Sequence, residues 1–231
     1  MLSWPHNDAA ELASVIMQLE IFSDTICPWC YIGKRRLERA LKARPQANLV
    51  KRWRAFQLNP GMPAGGMSRQ QYVSAKFGSM ERANRLYQTV ARIGAAEGIA
   101  FRFDLIDHTP NTLLSHRLSY VAAAADKQSA MLDRLFAAYF EEGCNIGDPE
   151  VLARLAADVG LPSNLTADAL TGSGQIDAAL ASDFQARRQG INGVPYFIFN
   201  GRFGLSGAQE PEALFHMFDL AREDDLLQQA G

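Results

Sequence analysis

The sequence predicts an α/β protein in which one sheet is divided along the chain by a long helical block. A strand, a helix and a second strand follow one another over residues 18–58, and two short β-prone runs and a helix follow one another over residues 195–222. Between these parts, from Ser68 to about Gln189, apolar residues recur almost wholly at helical spacing. A chain of 231 residues can bury a sizeable core, either as one large domain or as one domain carrying an insertion.

Residues 18–23 (QLEIFS) read as a short strand, because Leu19 and Ile21 alternate with their neighbours. Asp24 and Thr25 offer cap side chains, and a helical pattern follows from about Cys27 to Ala43 with Leu37 and Leu41 on one face. Residues 49–58 (LVKRWRAFQL) read as a second strand, stopped by Asn59, Pro60 and Gly61. Strand, helix and strand at this spacing make a βαβ unit. Residues 63–66 look like a linker. In the helical block, Leu86, Val90 and Ile93 keep a helical spacing, as do Leu132, Leu135, Phe136 and Tyr139. Asp148, Pro149 and Glu150 mark a helix start: a cap residue, a proline at the first helical position and an acid in the first turn. Val151, Leu152, Leu155 and Val159 supply the buried face of that helix, and Ile176, Leu180 and Phe184 are expected to do the same for the last one. Residues 195–199 (PYFIF) are strongly β-prone, Asn200 and Gly201 signal a hairpin turn, and residues 202–205 pair back. An amphipathic helix over residues 210–222 closes the pattern with Leu214, Phe215 and Phe218. The order βαβ, helical block, ββα is that of a thioredoxin fold with a large all-helical insertion. It divides the chain into an N-terminal extension (1–16), a thioredoxin-like domain (17–62 plus 186–231) and an inserted helical domain (63–185).

Bulk properties narrow the partners. Hydrophobic residues make up 48% of the chain and charged residues 21%, a soluble globular balance, and a net charge of −2 argues against a general binder of nucleic acid or acidic membrane. No apolar run reaches the roughly 18 residues of a membrane-spanning helix. The first 17 residues carry Asp8 and Glu11 but no Lys or Arg, unlike an export signal, so the expected location is cytoplasmic.

Three cysteines are present, and two of them form Cys27-Pro28-Trp29-Cys30. In a reducing compartment this spacing points to redox chemistry or a metal. Cys27 follows a strand and opens a helix, where free amide N–H groups and the positive end of the helix dipole favour a thiolate. Two intervening residues let Cys30, one turn further in and more shielded, close a disulfide with Cys27. Pro28 donates no N–H and suits a first turn, while Trp29 offers an apolar face to a substrate. Zinc would require a second Cys/His pair, and Cys144, His6, His108, His116 and His216 show no paired spacing. No metal site is therefore expected. Pro195, after Gly193 and Val194, suits either the first residue of a strand or a cis bond that exposes the Val194 backbone to a substrate.

Taken together, SDTICPWCYIGK, FQLNP, NTLLSHRL, GVPYFIFN and LSGAQ resemble the FrnE-type branch of the DsbA-like thioredoxin family, from about Leu19 to Ala221. The resemblance implies a thiol–disulfide oxidoreductase with Cys27 as nucleophile, Cys30 as resolving thiol and Pro195 as a cis-proline beside them. It implies a protein or small-molecule thiol or disulfide as substrate. Related 2-hydroxychromene-2-carboxylate isomerases and kappa-class glutathione transferases share the fold and bind glutathione, but carry Ser where this chain has Cys27. A glutathione-dependent isomerase or transferase is thus the alternative function. No bound cofactor is expected, with glutathione as a possible co-substrate. Asn59, Pro60, Val194, Ser206 and Gln209 match positions near the glutathione site of those cousins and form a candidate substrate rim. His116 reads as a packed helical residue, Asn111 and Thr112 as a cap, Cys144 as a free thiol, and Lys34, Arg35 and Arg36 as a solvated face.

Overall fold

The computed structural model describes residues 16–172 and 174–229, so the expected N-terminal extension lies, but for Ile16, outside the described residues. The central strand β1 (Met17–Ser23) pairs in parallel with β2 (Leu49–Ala55), Ile21 lying opposite Trp53. On its other side β1 pairs antiparallel with β5 (Tyr196–Phe199), Ile21 lying opposite Phe197. β6 (Phe203–Ser206) pairs antiparallel with β5, giving the order β2-β1-β5-β6. The tight turn between β5 and β6 places Asn200 at φ 50° and Gly201 at φ 68°, the left-handed conformations that Asn-Gly tolerates best. The two halves of the chain that flank the insertion therefore share one sheet.

Helix α1 (Pro28–Ala43) and the C-terminal helix, α9 in chain order (Pro211–Gln229), pack with Leu19, Ile21, Phe197 and Phe199. Phe199 meets Phe218 edge-on at 5.9 Å. A smaller cluster of Phe22, Phe56, Ala186 and Ile191 packs with Tyr196 and Ile198, the strand residues that alternate with the first set. Burial on both faces explains why β1 loses its alternation at Ile21, Phe22 and Ser23, all of them buried.

Among the described residues seven α-helices are inserted: α2 (Arg69–Phe77), α3 (Met80–Ala96), α4 (Leu113–Ala124), α5 (Gln128–Phe140), α6 (Pro149–Asp158), α7 (Ser163–Thr171) and α8 (Gly174–Arg188). A two-stranded ribbon of β3 (Met67–Ser68) and β4 (His108–Thr109) accompanies them. The cap at the start of α6 is as read: Asp148 Oδ1 accepts from the backbone of Glu150 at 2.8 Å and of Val151 at 3.3 Å.

The insertion also closes an open sheet edge. Gln128 donates to Trp53 O and accepts from Trp53 N, each at 3.1 Å, as a neighbouring strand would. Tyr120 Oη accepts from Ala55 N at 3.3 Å, and Ser182 donates to Ala55 O at 3.0 Å.

Three expectations are corrected. The second strand ends at Ala55, not Leu58, because the next amides turn to other partners: Phe56 N to Ser23 O at 3.0 Å, Gln57 N to Asp183 at 2.8 Å and Leu58 N to Asp24 at 2.7 Å. On α8, Leu180 and Phe184 are exposed, while Ala179, Ser182, Asp183 and Ala186 are buried. That helix docks on the end of β2 through small and polar groups, Arg187 donating to Gln57 O at 2.6 Å, so Leu180 and Phe184 face out, while the Ile176 side chain lies outside the described ones. Lys34 is no solvated residue: it is 1% exposed and held by Glu38 and by Asp133 of α5. Arg36 pairs with Glu97 at 2.8 Å and donates to Ala208 O at 2.6 Å. Basic residues after the cysteines thus fasten α1 to its neighbours. Among the described residues no helix is long and apolar enough to cross a membrane.

Candidate active site around Cys27 and Cys30

Cys27 is the N-cap of α1, with an extended backbone at φ −94° and ψ 112°, and Pro28 occupies the first turn. Its N–H donates to Asp24 O at 3.0 Å, and its carbonyl accepts from Cys30 N at 3.0 Å. This loop places both cysteines at the end of β1. Both are free thiols, Cys27 3% exposed and Cys30 fully buried, while Trp29 between them projects outward at 38%.

The two thiols are chemically unequal. Burial pushes the Cys30 thiol well above its ordinary value, and the adjoining Cys27 sulfur adds to this; the Ser23 hydroxyl and the Asp24 backbone oppose it with less effect. Cys27 instead lies within 3.5 Å of Val194 O, to which its thiol donates. The Val194–Pro195 peptide bond is cis.

Gly33, two turns into α1, lets this loop approach. A Cβ at Gly33 would lie 2.8 Å from Pro195 Cγ. Gly207 N donates to Pro195 O at 2.8 Å, and Gln209 Nε2 donates to Ser206 O at 2.8 Å, so the turn carrying Ser206 and Gln209 abuts the proline. Cys27, Pro28, Trp29 and Val194 open together onto a cavity of about 350 Å³ between the start of α1 and the inserted helices. Pro195, Asn59, Pro60, Ser206 and Gln209 are not among the residues that line it. Asn59 is partly buried, its carbonyl accepting from Met62 N at 3.0 Å, and Pro60 is exposed.

The loop that carries Cys27 is held from below by α4. Asp24, fully buried, accepts from Leu58 N at 2.7 Å, and His116 Nε2 lies 3.4 Å from its other oxygen. Thr25 and Ser115 share a hydroxyl bond at 2.7 Å. Asn111, half of the expected cap, accepts from Leu113 N at 2.9 Å and donates to Met62 O at 2.7 Å; the Thr112 side chain makes no cap bond. Asp24, Gly33 and Ser115 lie within motifs singled out in the sequence, but what these residues do depends on partners from distant segments: Leu58 for Asp24, Pro195 for Gly33 and Thr25 for Ser115. Cys144 stands apart, its Sγ 3.8 Å from Glu142 and its thiol raised by burial and that carboxylate. Among the described residues no group of three or more His, Cys, Asp or Glu side chains could hold a metal ion.

Residues 18–218 match the DSBA-like thioredoxin domain. The chain belongs to that family. This DSBA-like chain is similar to a probable DsbA oxidoreductase of Streptomyces coelicolor, with 32% identity over 89% of each chain and a TM-score of 0.81. A cytosolic disulfide reductase, DsbM of Pseudomonas aeruginosa with GSH, superposes with a TM-score of 0.57 at 21% identity, covering 93% of this chain and 100% of that one. A 2-hydroxychromene-2-carboxylate isomerase superposes with a TM-score of 0.66 at 18% identity, covering 92% and 98%. At these lower identities the last two share the fold.

Proposed function

We infer that this DSBA-like protein is a thiol–disulfide oxidoreductase in which Cys27 exchanges with substrate and Cys30 resolves. The observation that carries the reading is the asymmetry of the two thiols. Cys27 opens onto a cavity beside the Val194 carbonyl, whereas Cys30 is fully buried and its thiol is raised. Cys27, acting as the thiolate, attacks one sulfur of a disulfide and expels the other as a thiolate. Cys30 gives up its proton and attacks Cys27 Sγ, releasing the second thiol and leaving a Cys27–Cys30 disulfide. The reverse sequence oxidises a dithiol substrate. Val194, Pro195, Pro28 and Trp29 form the substrate contact in this reading, with Asn59, Pro60, Ser206 and Gln209 as an outer rim. The Pseudomonas neighbour carries GSH, which supports glutathione as a co-substrate.

Single-cysteine variants test it. Cys30→Ser accumulates a covalent adduct with substrate that dithiothreitol releases, and Cys27→Ser abolishes both the adduct and insulin reduction. A glutathione-dependent isomerase gives the opposite pattern: Cys27→Ser keeps glutathione-dependent turnover of an aromatic acid, and Cys30→Ser traps nothing.

A further inference from the structure

The cavity in front of Cys27 has a chemical character that disulfide exchange alone does not require. Its volume of about 350 Å³ lies at the small end of small-molecule sites, roughly 300–1,000 Å³. Aromatic rings dominate its wall, among them Trp29, Tyr72, Tyr87 and Phe103, the last two stacked at 4.5 Å. Among the described residues no Asp or Glu lines it, yet two cations do, Arg69 and Lys76.

Both cations belong to α2 and are held by neutral groups. Arg69 lies over Tyr87 at 4.9 Å and over Tyr72 at 5.5 Å, and it donates to Thr109 Oγ1 at 3.4 Å. Lys76 donates to Tyr72 Oη at 2.7 Å. Near the redox site, by contrast, Lys34, Arg35 and Arg36 of α1 each pair with a carboxylate. Among the described residues neither Arg69 nor Lys76 has a carboxylate within 4.0 Å. Two charges without counter-ions on the wall of an apolar cavity complement an anion on an apolar molecule.

We propose that the cavity binds a small aromatic thiol or disulfide bearing a carboxylate, whose ring lies among the aromatic side chains and whose anion meets Arg69 and Lys76. The assignment rests on Cys27 as the exchanging thiol and names the substrate class for that site. Cys27 Sγ bonds to one sulfur of the aromatic disulfide as the S–S bond breaks, and an aryl thiolate leaves with the bonding pair. Attack by Cys30 then releases the second aryl thiolate, so the protein dithiol is oxidised by two electrons and the aromatic disulfide is reduced to two thiols.

Two probes test the charge. Single-turnover oxidation of the reduced protein is followed with dithiobis(nitrobenzoate), which carries a carboxylate on each ring, and with dithiodipyridine, which is uncharged at neutral pH. Comparing each variant with the wild type for one probe cancels that probe's intrinsic reactivity. The ratio of anionic-probe to neutral-probe rate falls about tenfold in Arg69→Gln/Lys76→Gln, and Arg69→Lys recovers part of it. A ratio that stays within about twofold overturns the proposal. Protection of Cys27 from iodoacetamide tests the ring: naphthoate protects and glutarate does not. Equal protection by both, by neither, or by an uncharged apolar peptide overturns the proposal. Mass spectrometry separates the two levels of the account. If no adduct forms at Cys27, the oxidoreductase reading itself fails; an adduct at Cys27 without charge discrimination removes only the substrate class.

Discussion

Cys27 and Cys30 lie three residues apart on one turn of chain and are both buried, but Cys27 lines the cavity and Cys30 does not. Cys30 is fully enclosed and its thiol is raised, so iodoacetamide at neutral pH labels Cys27 and spares Cys30, which peptide mapping reads directly. The same burial links folding to pH. A thiol whose folded value lies above its unfolded value of about 8.5 contributes stability in full below that pH and loses it as pH rises towards the folded value. Cys27→Ala is therefore less stable relative to Cys27→Ala/Cys30→Ala as pH climbs past about 8.5, because desolvation, the largest cause of the shift, remains in the single variant. Denaturant melts of both variants across that range check it; parallel curves contradict it. The motif and the spacing are legible in the sequence, since a strand followed by Cys-Pro-Trp-Cys already places one thiol at a helix start. The buried Asp24 beneath the loop is not, because its partners Leu58 and His116 come from distant segments.

Helix α1 joins the redox site to everything around it, and two of its residues make opposite predictions. A helical Gly→Ala change ordinarily stabilises by about 0.5–1 kcal/mol. At Gly33 the new methyl would lie 2.8 Å from the Pro195 ring, which has no flexible end to move aside. Gly33→Ala is expected to destabilise by about 1–3 kcal/mol and to slow disulfide exchange as the proline loop is pushed away; a raised Tm with unchanged exchange contradicts the packing account. Lys34, 1% exposed, is matched by Glu38 and Asp133, which are 37% and 33% exposed. Removing the lysine leaves two carboxylate side chains that are each about a third exposed, so Lys34→Met costs about 1 kcal/mol. Removing both carboxylates strands a buried ammonium, so Glu38→Gln/Asp133→Asn costs about 3 kcal/mol. Denaturant titration of the two variants orders them, and the reverse order contradicts this reading. A run of Lys-Arg-Arg reads from sequence as a solvated face because nothing local reveals an acidic partner about 100 residues away. Likewise Leu180 and Phe184 are poor guides to α8, whose docking face is small and polar because it meets strand backbone.

At the scale of the whole molecule, sheet and insertion share a continuous core. Tyr31 of α1 stacks on Phe136 of α5 at 5.1 Å, and its hydroxyl donates to Glu141 at 2.6 Å. Phe136→Ala should cost about 3–5 kcal/mol and lower the unfolding midpoint of the whole chain, with near- and far-ultraviolet circular dichroism transitions remaining coincident. Separate transitions for the two parts contradict a shared core. The alternation of strand, helix and turn signals is enough to read the interrupted sheet from sequence, because each half carries its own periodicity and turn chemistry. The cavity escapes that reading, since its wall draws on residues from Ile26 to Val194 and no single motif contains it. The central claim is that Cys27 and Cys30 act as one two-electron couple. Its most direct test is equilibration of the protein in thiol–disulfide buffers of graded potential, followed by acid quenching, alkylation and intact mass. The account predicts a single transition between a chain alkylated at Cys27, Cys30 and Cys144 and one alkylated at Cys144 alone that carries a Cys27–Cys30 disulfide, with a midpoint within the span of about −270 to −120 mV found for such pairs. Independent modification of the two cysteines, with no intramolecular disulfide at any potential, contradicts it.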